Sequence, residues 1–95
     1  MAAYLIAQVN VTDPETFAKY GSQVPGVIEQ YGGRYLVRGG TTEAVEGSWT
    51  PTRLVVVEFP SMEQLQRFYH SDEYAPLIEL RNKSAHTDLN FVEGI

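Results

Sequence analysis

The amino-acid sequence predicts one α+β domain over residues 1–95, with a four-stranded antiparallel sheet and helices on one face of it. Two observations carry this prediction. Four short segments are β-forming, either alternating or continuously apolar, and the segments between them repeat apolar residues at helical spacing. These segments follow one another as strand, helix, strand, strand, helix, strand. An antiparallel sheet covered on one face by two helices is the layered arrangement that this order favours.

The first strand and the start of the first helix have clear signals. Residues 3–11 alternate between two faces that both carry apolar side chains. The helix that follows is capped in one of two ways. Either Asp13 caps it with Pro14 at the first helical position, or Thr12 caps it with Glu15 completing a capping box.

A proline interrupts this helix, and a second strand follows it. Pro25 has no amide hydrogen for the carbonyl of Gly21, so we predict a kink there. Gly32-Gly33 ends the helix. Residues 34–38 are β-forming and predict the second strand, which precedes a polar loop over residues 41–50.

A third strand, two helical segments and a fourth strand complete the chain. Residues 54–59 are almost continuously apolar, which is typical of a strand covered on both faces. Ser61 caps the next helix, and Gln64 stands where a capping box places Glu or Gln. A shorter helix restarts at Ser71, and residues 87–93 alternate as the last strand.

The alternation leaves the face of the sheet opposite the helices unusually apolar. We expect the helices to pack against Leu5, Val9, Tyr35, Val37, Val55, Val57, Phe59, Leu89 and Phe91. The other face then carries Tyr4, Ile6, Leu36, Leu54, Val56 and Val92. So much exposed apolar surface predicts a partner, most simply a second copy. The predicted architecture is a ferredoxin-like βαββαβ chain that forms a homodimer through its sheet faces, with a barrel-like interior.

Charge and composition narrow the class of partner. The net charge is −5, from seven Lys and Arg against twelve Asp and Glu, and the basic residues are scattered. This argues against nucleic acid and against an anionic membrane surface. No apolar segment approaches the roughly 20 residues of a membrane-spanning helix, and the first residues do not resemble a signal peptide. With no cysteine in the chain, we expect a cytoplasmic protein without disulfides or a thiol nucleophile.

Three segments together resemble a known family. Residues 32–40 read Gly-Gly-Arg-Tyr-Leu-Val-Arg-Gly-Gly, residues 49–61 read Trp-Thr-Pro-Thr-Arg-Leu-Val-Val-Val-Glu-Phe-Pro-Ser, and residues 68–74 read Phe-Tyr-His-Ser-Asp-Glu-Tyr, with Arg81 beyond them. In this order and spacing they are similar to the domain-of-unknown-function family numbered 1330, over nearly the whole chain. The family pattern often has asparagine where His70 stands, so the resemblance implies no role for that histidine.

The resemblance implies membership of the dimeric α+β barrel superfamily, in agreement with the fold and the dimer predicted from periodicity. Relatives in that superfamily include muconolactone isomerases, heme-degrading and quinol-type monooxygenases, chlorite dismutases and ligand domains of transcription regulators. Such breadth means that the fold does not select a chemistry.

Five side chains near the converging ends of the predicted elements are candidates for a site: Arg38, Glu58, Tyr20, Tyr74 and Arg81. Arg38 and Arg81 are candidates to bind a small anion, and Tyr20 to orient it. Glu58 and Tyr74 are the candidate catalytic residues. Glu58 or a histidine would move the proton, and Tyr74 or Tyr20 would polarise the reacting oxygen.

Each candidate also has a structural interpretation. Arg38 could pair with Glu58 across adjacent antiparallel strands. Arg81 could interact with the C-terminal dipole of its own helix. Tyr20 and Tyr74 could be core residues whose hydroxyls are satisfied locally.

The remaining polar and aromatic residues give weaker signals. The two histidines, His70 and His86, have no metal-ligand spacing, and we expect neither a metal nor a cofactor. His86 and Asp88 would make an acid/base pair only if they met on one sheet face, and a solvated strand end is the alternative. Trp49 either covers a pocket or lies at the dimer seam.

Two functions are compatible with the sequence. The first is a cofactor-independent enzyme, isomerase-like or monooxygenase-like, acting on a small organic anion or phenol. The second is a non-catalytic small-molecule-binding or structural homodimer. The absence of a nucleophile, a metal site and a cofactor motif favours the second function more than composition does.

Overall fold

A computed structural model describes all 95 residues and contains one sheet and three helices. The elements are β1 (Ala3–Val11), α1 (Pro14–Gln30), β2 (Arg34–Arg38), β3 (Leu54–Phe59), α2 (Met62–Tyr69), α3 (Ala75–Ser84) and β4 (Ala85–Glu93). All strand pairs are antiparallel, in the order β2-β3-β1-β4. The predicted ferredoxin-like α+β fold is confirmed. Relative to the prediction, β4 begins at Ala85 rather than Thr87.

The helix starts depend on side-chain caps. Asp13, not Thr12, caps α1, and its carboxylate accepts hydrogen bonds from the backbone amide of Thr16 at 3.3 Å and the hydroxyl of Thr16 at 2.7 Å. The predicted cap of α2 is confirmed, since the Ser61 hydroxyl accepts from the Gln64 amide at 3.1 Å. These contacts satisfy amides that a helix N-terminus leaves without partners.

The hydrophobic core lies between the helices and one face of the sheet. Phe68 of α2 is its centre, with its ring 5.1 Å from that of Phe59 and 4.4 Å from that of Tyr74. Of the residues predicted to face the helices, four are buried, Leu5, Val9, Val57 and Phe59. Four more are partly buried and pack against the core, Tyr35, Val55, Leu89 and Phe91. The predicted inner face is therefore correct apart from one residue.

That residue is displaced by an irregularity in β2. The pairing of β2 with β3 is regular at Tyr35, skips Leu36, and resumes with Val37 opposite Val56. Such a β-bulge reverses the alternation of the residues that follow it. Val37 therefore shares the outer face with Val56 and is 37% exposed, so the prediction that it packs against the helices is wrong. The same bulge turns Arg38 toward the helices.

The outer face of the sheet is uncovered and carries a group of apolar side chains, as the alternation predicts. Ile6, Leu36 and Val92 are exposed on it, and Val56 is half-buried. Trp49 lies over this face, where its indole nitrogen donates to the side-chain oxygen of Gln8 at 2.8 Å. Trp49 therefore belongs to the outer face and not to a pocket beneath the helices. No helix of the chain has the length and apolar character needed to cross a bilayer.

Candidate functional site

A cavity of about 50 Å³ lies between the sheet and the helices. Its lining is mostly apolar and includes Val57 and Phe68. Three arginines also line it, Arg38, Arg53 and Arg81, and the lining contains no Asp, Glu or His. None of the three arginines forms an ion pair. The cavity is thus a positively charged site inside a protein whose net charge is −5.

Three candidate residues form a hydrogen-bonded series at this cavity. Nη1 of Arg81 donates to the hydroxyl oxygen of Tyr74 at 3.0 Å, and that hydroxyl lies 2.8 Å from the hydroxyl of Tyr20. With Arg81 donating to Tyr74, the arrangement favours Tyr74 as donor to Tyr20, which leaves the Tyr20 hydrogen for a ligand. Burial, and then the neighbouring Tyr20, raise the pKa of Tyr74, so its hydroxyl stays neutral at physiological pH.

Burial explains why these side chains are so well fixed. Arg81 is only 6% exposed and Tyr74 1%, whereas Tyr20 is half-buried and faces the cavity from α1. Tyr74 is therefore a core residue whose side chain also lines the cavity. Arg81 does not simply cap α3, since its guanidinium is directed to Tyr74.

Arg38 is positioned by the proline in α1. Pro25 cannot donate to the carbonyl of Gly21, and Nη2 of Arg38 donates to that carbonyl instead, at 2.8 Å. The Arg38 guanidinium also lies 4.7 Å from the ring centroid of Tyr35, within cation–π range. Burial raises the pKa of Tyr35 to about 12, so this ring is neutral. A local effect visible in the sequence thus helps to place a side chain of the site.

Arg53 and Thr87 also line the cavity, although neither is among the five site residues predicted from the sequence. The amide of Val9 donates to the Arg53 carbonyl at 2.8 Å, and Val9 pairs with Thr87 across the other side of β1. Nε of Arg53 and Oγ1 of Thr87 are buried without a hydrogen-bond partner, as is Nε of Arg81. Only the register between β1 and β3, which places Arg53 beside Val9, could have identified Arg53 as a site residue.

The structure separates Glu58 from the other four candidates. Glu58 lies on the outer face of the sheet, where it accepts hydrogen bonds from Nε of Arg34 at 2.8 Å and from the Tyr4 hydroxyl at 3.1 Å. These bonds, that from Arg34 first, hold the pKa of Glu58 below its usual value. The predicted pair of Arg38 with Glu58 is wrong, because the bulge puts the two on opposite faces. Glu58 is not in a position to move a proton in the cavity.

The histidines lie elsewhere. His70 is the C-cap of α2, and His86 is on the outer face at the start of β4, and both are exposed. No hydrogen bond joins His86 to Asp88, although the register puts them on the same face. The chain has no group of three or more His, Cys, Asp or Glu residues placed to bind a metal ion.

Several solved structures have a similar fold. A protein of unknown function from Rhodopseudomonas palustris, RPA0582, has 16% identity and a TM-score of 0.80 over 99% of this chain and 82% of that one. SnoaB from Streptomyces nogalater, described as a cofactor-independent oxygenase, has 7% identity and a TM-score of 0.67 over 99% and 93%. An uncharacterized NIPSNAP domain protein from Burkholderia xenovorans has 16% identity and a TM-score of 0.60 over 100% and 95%. At these identities the similarity shows the fold alone.

The comparison at the level of families is more specific. No curated protein matches the chain significantly. Residues 2–95 match the family described as Domain of unknown function (DUF1330). The motifs around Arg38, Glu58 and Tyr74 predicted this assignment, and it is confirmed over nearly the full length. The chain belongs to the DUF1330 family.

Proposed function

We propose that the cavity binds a small organic anion or a phenol, and that the protein acts on it as an enzyme that needs no cofactor. The observation that carries the proposal is the convergence of three arginines and the Tyr20 hydroxyl on an apolar cavity that contains no acidic side chain. In surroundings of low dielectric, an unpaired guanidinium strongly favours an anion. The SnoaB description, a cofactor-independent oxygenase on the same fold, supports the absence of a cofactor.

The residues present are suited to stabilising an oxyanion. The Tyr20 hydroxyl donates to the substrate oxygen, and Tyr74 and Arg81 behind it polarise that donor. Isomerisation through an enolate develops negative charge on such an oxygen, and a phenolate or enolate that reacts with molecular oxygen carries this charge before the reaction. Since the lining includes no carboxylate or imidazole, the best substrate is one that is acidic enough to enter as its own anion.

The alternative function is binding without catalysis. The observation that favours it is the same lack of a carboxylate or imidazole in the cavity, because general bases are most often His, Glu or Asp. In this case the arginines and the Tyr20 hydroxyl bind a ligand without catalysing a reaction.

Tyr20→Phe tests the catalytic proposal. We expect the substitution to lower turnover by about 10²–10³-fold, the usual cost of removing one oxyanion donor, and to change the free energy of unfolding by no more than about 1.5 kcal/mol. A screen of small acids and phenols with the unmodified chain identifies the substrate, and steady-state kinetics and urea denaturation of the variant follow.

Tyr31→Phe is the matched control, because the Tyr31 hydroxyl donates to Glu73 at 2.9 Å, away from the cavity. Its turnover should equal that of the unmodified chain. Equal turnover of Tyr20→Phe and the unmodified chain would refute the role of Tyr20. Tight binding of a screened compound with no product would favour the binding function.

We also propose that two copies associate through the outer faces of their sheets. The exposed apolar residues of that face, together with Trp49 beside it, support this assembly. Sheet-to-sheet packing would remove Ile6, Leu36 and Val92 from water, and burial of apolar surface is the main favourable term in association.

Val56→Lys tests the assembly. Val56 lies opposite Ile6 on the outer face, so a lysine there would have to be desolvated in the interface. Light scattering at micromolar concentration should give about twice 10.7 kDa for the unmodified chain and about 10.7 kDa for the variant. Gln66→Lys, on the exposed side of α2, should leave the mass unchanged. A monomer mass for the unmodified chain would disprove the dimer.

A further inference from the structure

We infer that the ligand of the cavity is a small carboxylate with an apolar body, and that Arg53 and Thr87 form the subsite for its carboxylate. This inference rests on the proposed function, since it specifies the ligand of the same cavity. Arg53 and Thr87 are not among the five candidates from the sequence. Their role, binding of the carboxylate, is separate from that of the hydrogen-bonded series of Arg81, Tyr74 and Tyr20.

The register of the sheet places Arg53 and Thr87 on either side of Val9. Val9 of β1 pairs with Thr87 of β4, and its amide donates to the carbonyl of Arg53 at 2.8 Å. Two strand spacings separate Arg53 from Thr87, about 10 Å between their backbones. Val9 is buried on the helix-facing side, and all three residues line the cavity. A carboxylate seated over Val9 would lie within reach of both flanking side chains.

The chemistry of the unpartnered atoms selects the ligand. Nε of Arg53, Oγ1 of Thr87 and Nε of Arg81 are the three buried side-chain polar atoms without a partner, and all belong to residues that line this cavity. Leaving buried polar groups unpaired costs free energy, so a set of them in one place indicates a ligand that pairs them. All three can donate a hydrogen, and a carboxylate has two oxygens with about four lone pairs to accept.

The apolar part of the cavity lining indicates that the rest of the ligand is apolar. Thirteen of the eighteen lining residues are hydrophobic, including Val57, Ile28 and Phe68. A bare inorganic anion would leave these side chains without contacts, whereas the body of an aromatic or branched acid would pack against them. Arg38 is not assigned to the carboxylate subsite, because none of its side-chain nitrogens is among the buried atoms without a partner.

The experiment compares probes of nearly equal shape and different charge. Calorimetric titration of the unmodified chain with benzoate, benzamide and benzylamine separates the carboxylate from the ring. We expect benzoate to bind, benzamide to bind at least tenfold more weakly, and benzylamine not to bind.

Substitutions then locate the carboxylate. Arg53→Met and Thr87→Val should each weaken benzoate binding at least tenfold and leave benzamide binding unchanged. Arg67→Met removes the same charge from the exposed side of α2 and should bind benzoate like the unmodified chain. Arg53→Lys keeps the charge, gives a second variant if Arg53→Met is unfolded by circular dichroism, and should also lose most of the benzoate affinity because the Nε donor is gone.

The outcomes separate the two proposals. If benzoate and benzamide bind equally and neither the Arg53 nor the Thr87 variants change the affinity for benzoate, the carboxylate subsite is refuted and the cavity remains a small-molecule site. If benzoate, phenylacetate, cyclohexanecarboxylate, benzamide and phenol all fail to bind at millimolar concentration, both the subsite and the proposed function are wrong.

Discussion

Arg81→Met is expected to raise the free energy of unfolding by about 1–3 kcal/mol while it abolishes binding of an anionic ligand. Arg81 is 6% exposed and forms no ion pair, so no opposite charge offsets the loss of its hydration. Replacement of buried ion pairs by well-packed apolar residues is often neutral or stabilising by such amounts, and loss of Arg81 leaves no carboxylate partner buried and unpaired. Tyr74 keeps its hydrogen bond to Tyr20 in the variant.

Urea denaturation and the benzoate titration measure the two effects on the same protein. Arg81→Lys is the control, since it retains the buried charge and should show no gain in stability. A loss of about 3 kcal/mol or more in Arg81→Met would mean that the guanidinium is a structural element of the fold. A gain in stability together with a loss of binding is expected when a residue is retained for function although it lowers the stability of the fold.

Phe68→Ala should have the opposite effect, lowering the free energy of unfolding by about 3–5 kcal/mol. Phe68 is 1% exposed, and its ring lies among those of Phe59, Tyr74 and Tyr31. The cavity left by truncation would extend the existing one, because Phe68 already lines it.

Denaturation at several protein concentrations separates the effect of Phe68→Ala on the chain from any effect on association. Phe68→Leu should cost clearly less, since it leaves a smaller void. A loss below about 1 kcal/mol for the alanine variant would show that the neighbouring rings can close around the gap. That result would also predict a smaller ligand cavity in the variant.

Most of the fold could be predicted because each element has its own local signal. The caps at Asp13 and Ser61, the alternation of β1 and the apolar run of β3 specify boundaries and faces without reference to distant residues. The strand β2 is the exception. Leu36 and Val37 are adjacent apolar residues, so either alternation looks reasonable in the sequence, and only the pairing with β3 shows which residue is the extra one.

That one bulge also decides whether Arg38 belongs to the candidate site. With a regular β2, Arg38 would lie on the outer face, the same face as Glu58. With the bulge, Arg38 joins Tyr20, Tyr74 and Arg81 at the cavity, and Glu58 pairs with Arg34. Four of the five candidates line the cavity, whereas Glu58 lies on the outer face because of the alternation of β3, which the bulge in β2 does not change.

Arg53 and Thr87 could not be identified from local pattern. Arg53 stands at the end of an irregular loop, and Thr87 is an ordinary β-former in an alternating strand. Their significance depends on Val9, which is 44 and 78 residues away in the chain and brings them together only through strand pairing. Strand pairing between residues so far apart in the chain is difficult to predict from a single sequence.

The contact between Arg38 and the Gly21 carbonyl has an electrostatic consequence. A side chain as long as arginine is usually immobilised by a carboxylate, which neutralises it at the same time. The carbonyl that Pro25 leaves free is a dipole without net charge, so it restrains the guanidinium and leaves its full unit of charge in place. The proline in α1 thus allows a neutral carbonyl to fix the Arg38 guanidinium. The cavity therefore keeps a positive charge that is oriented but not neutralised.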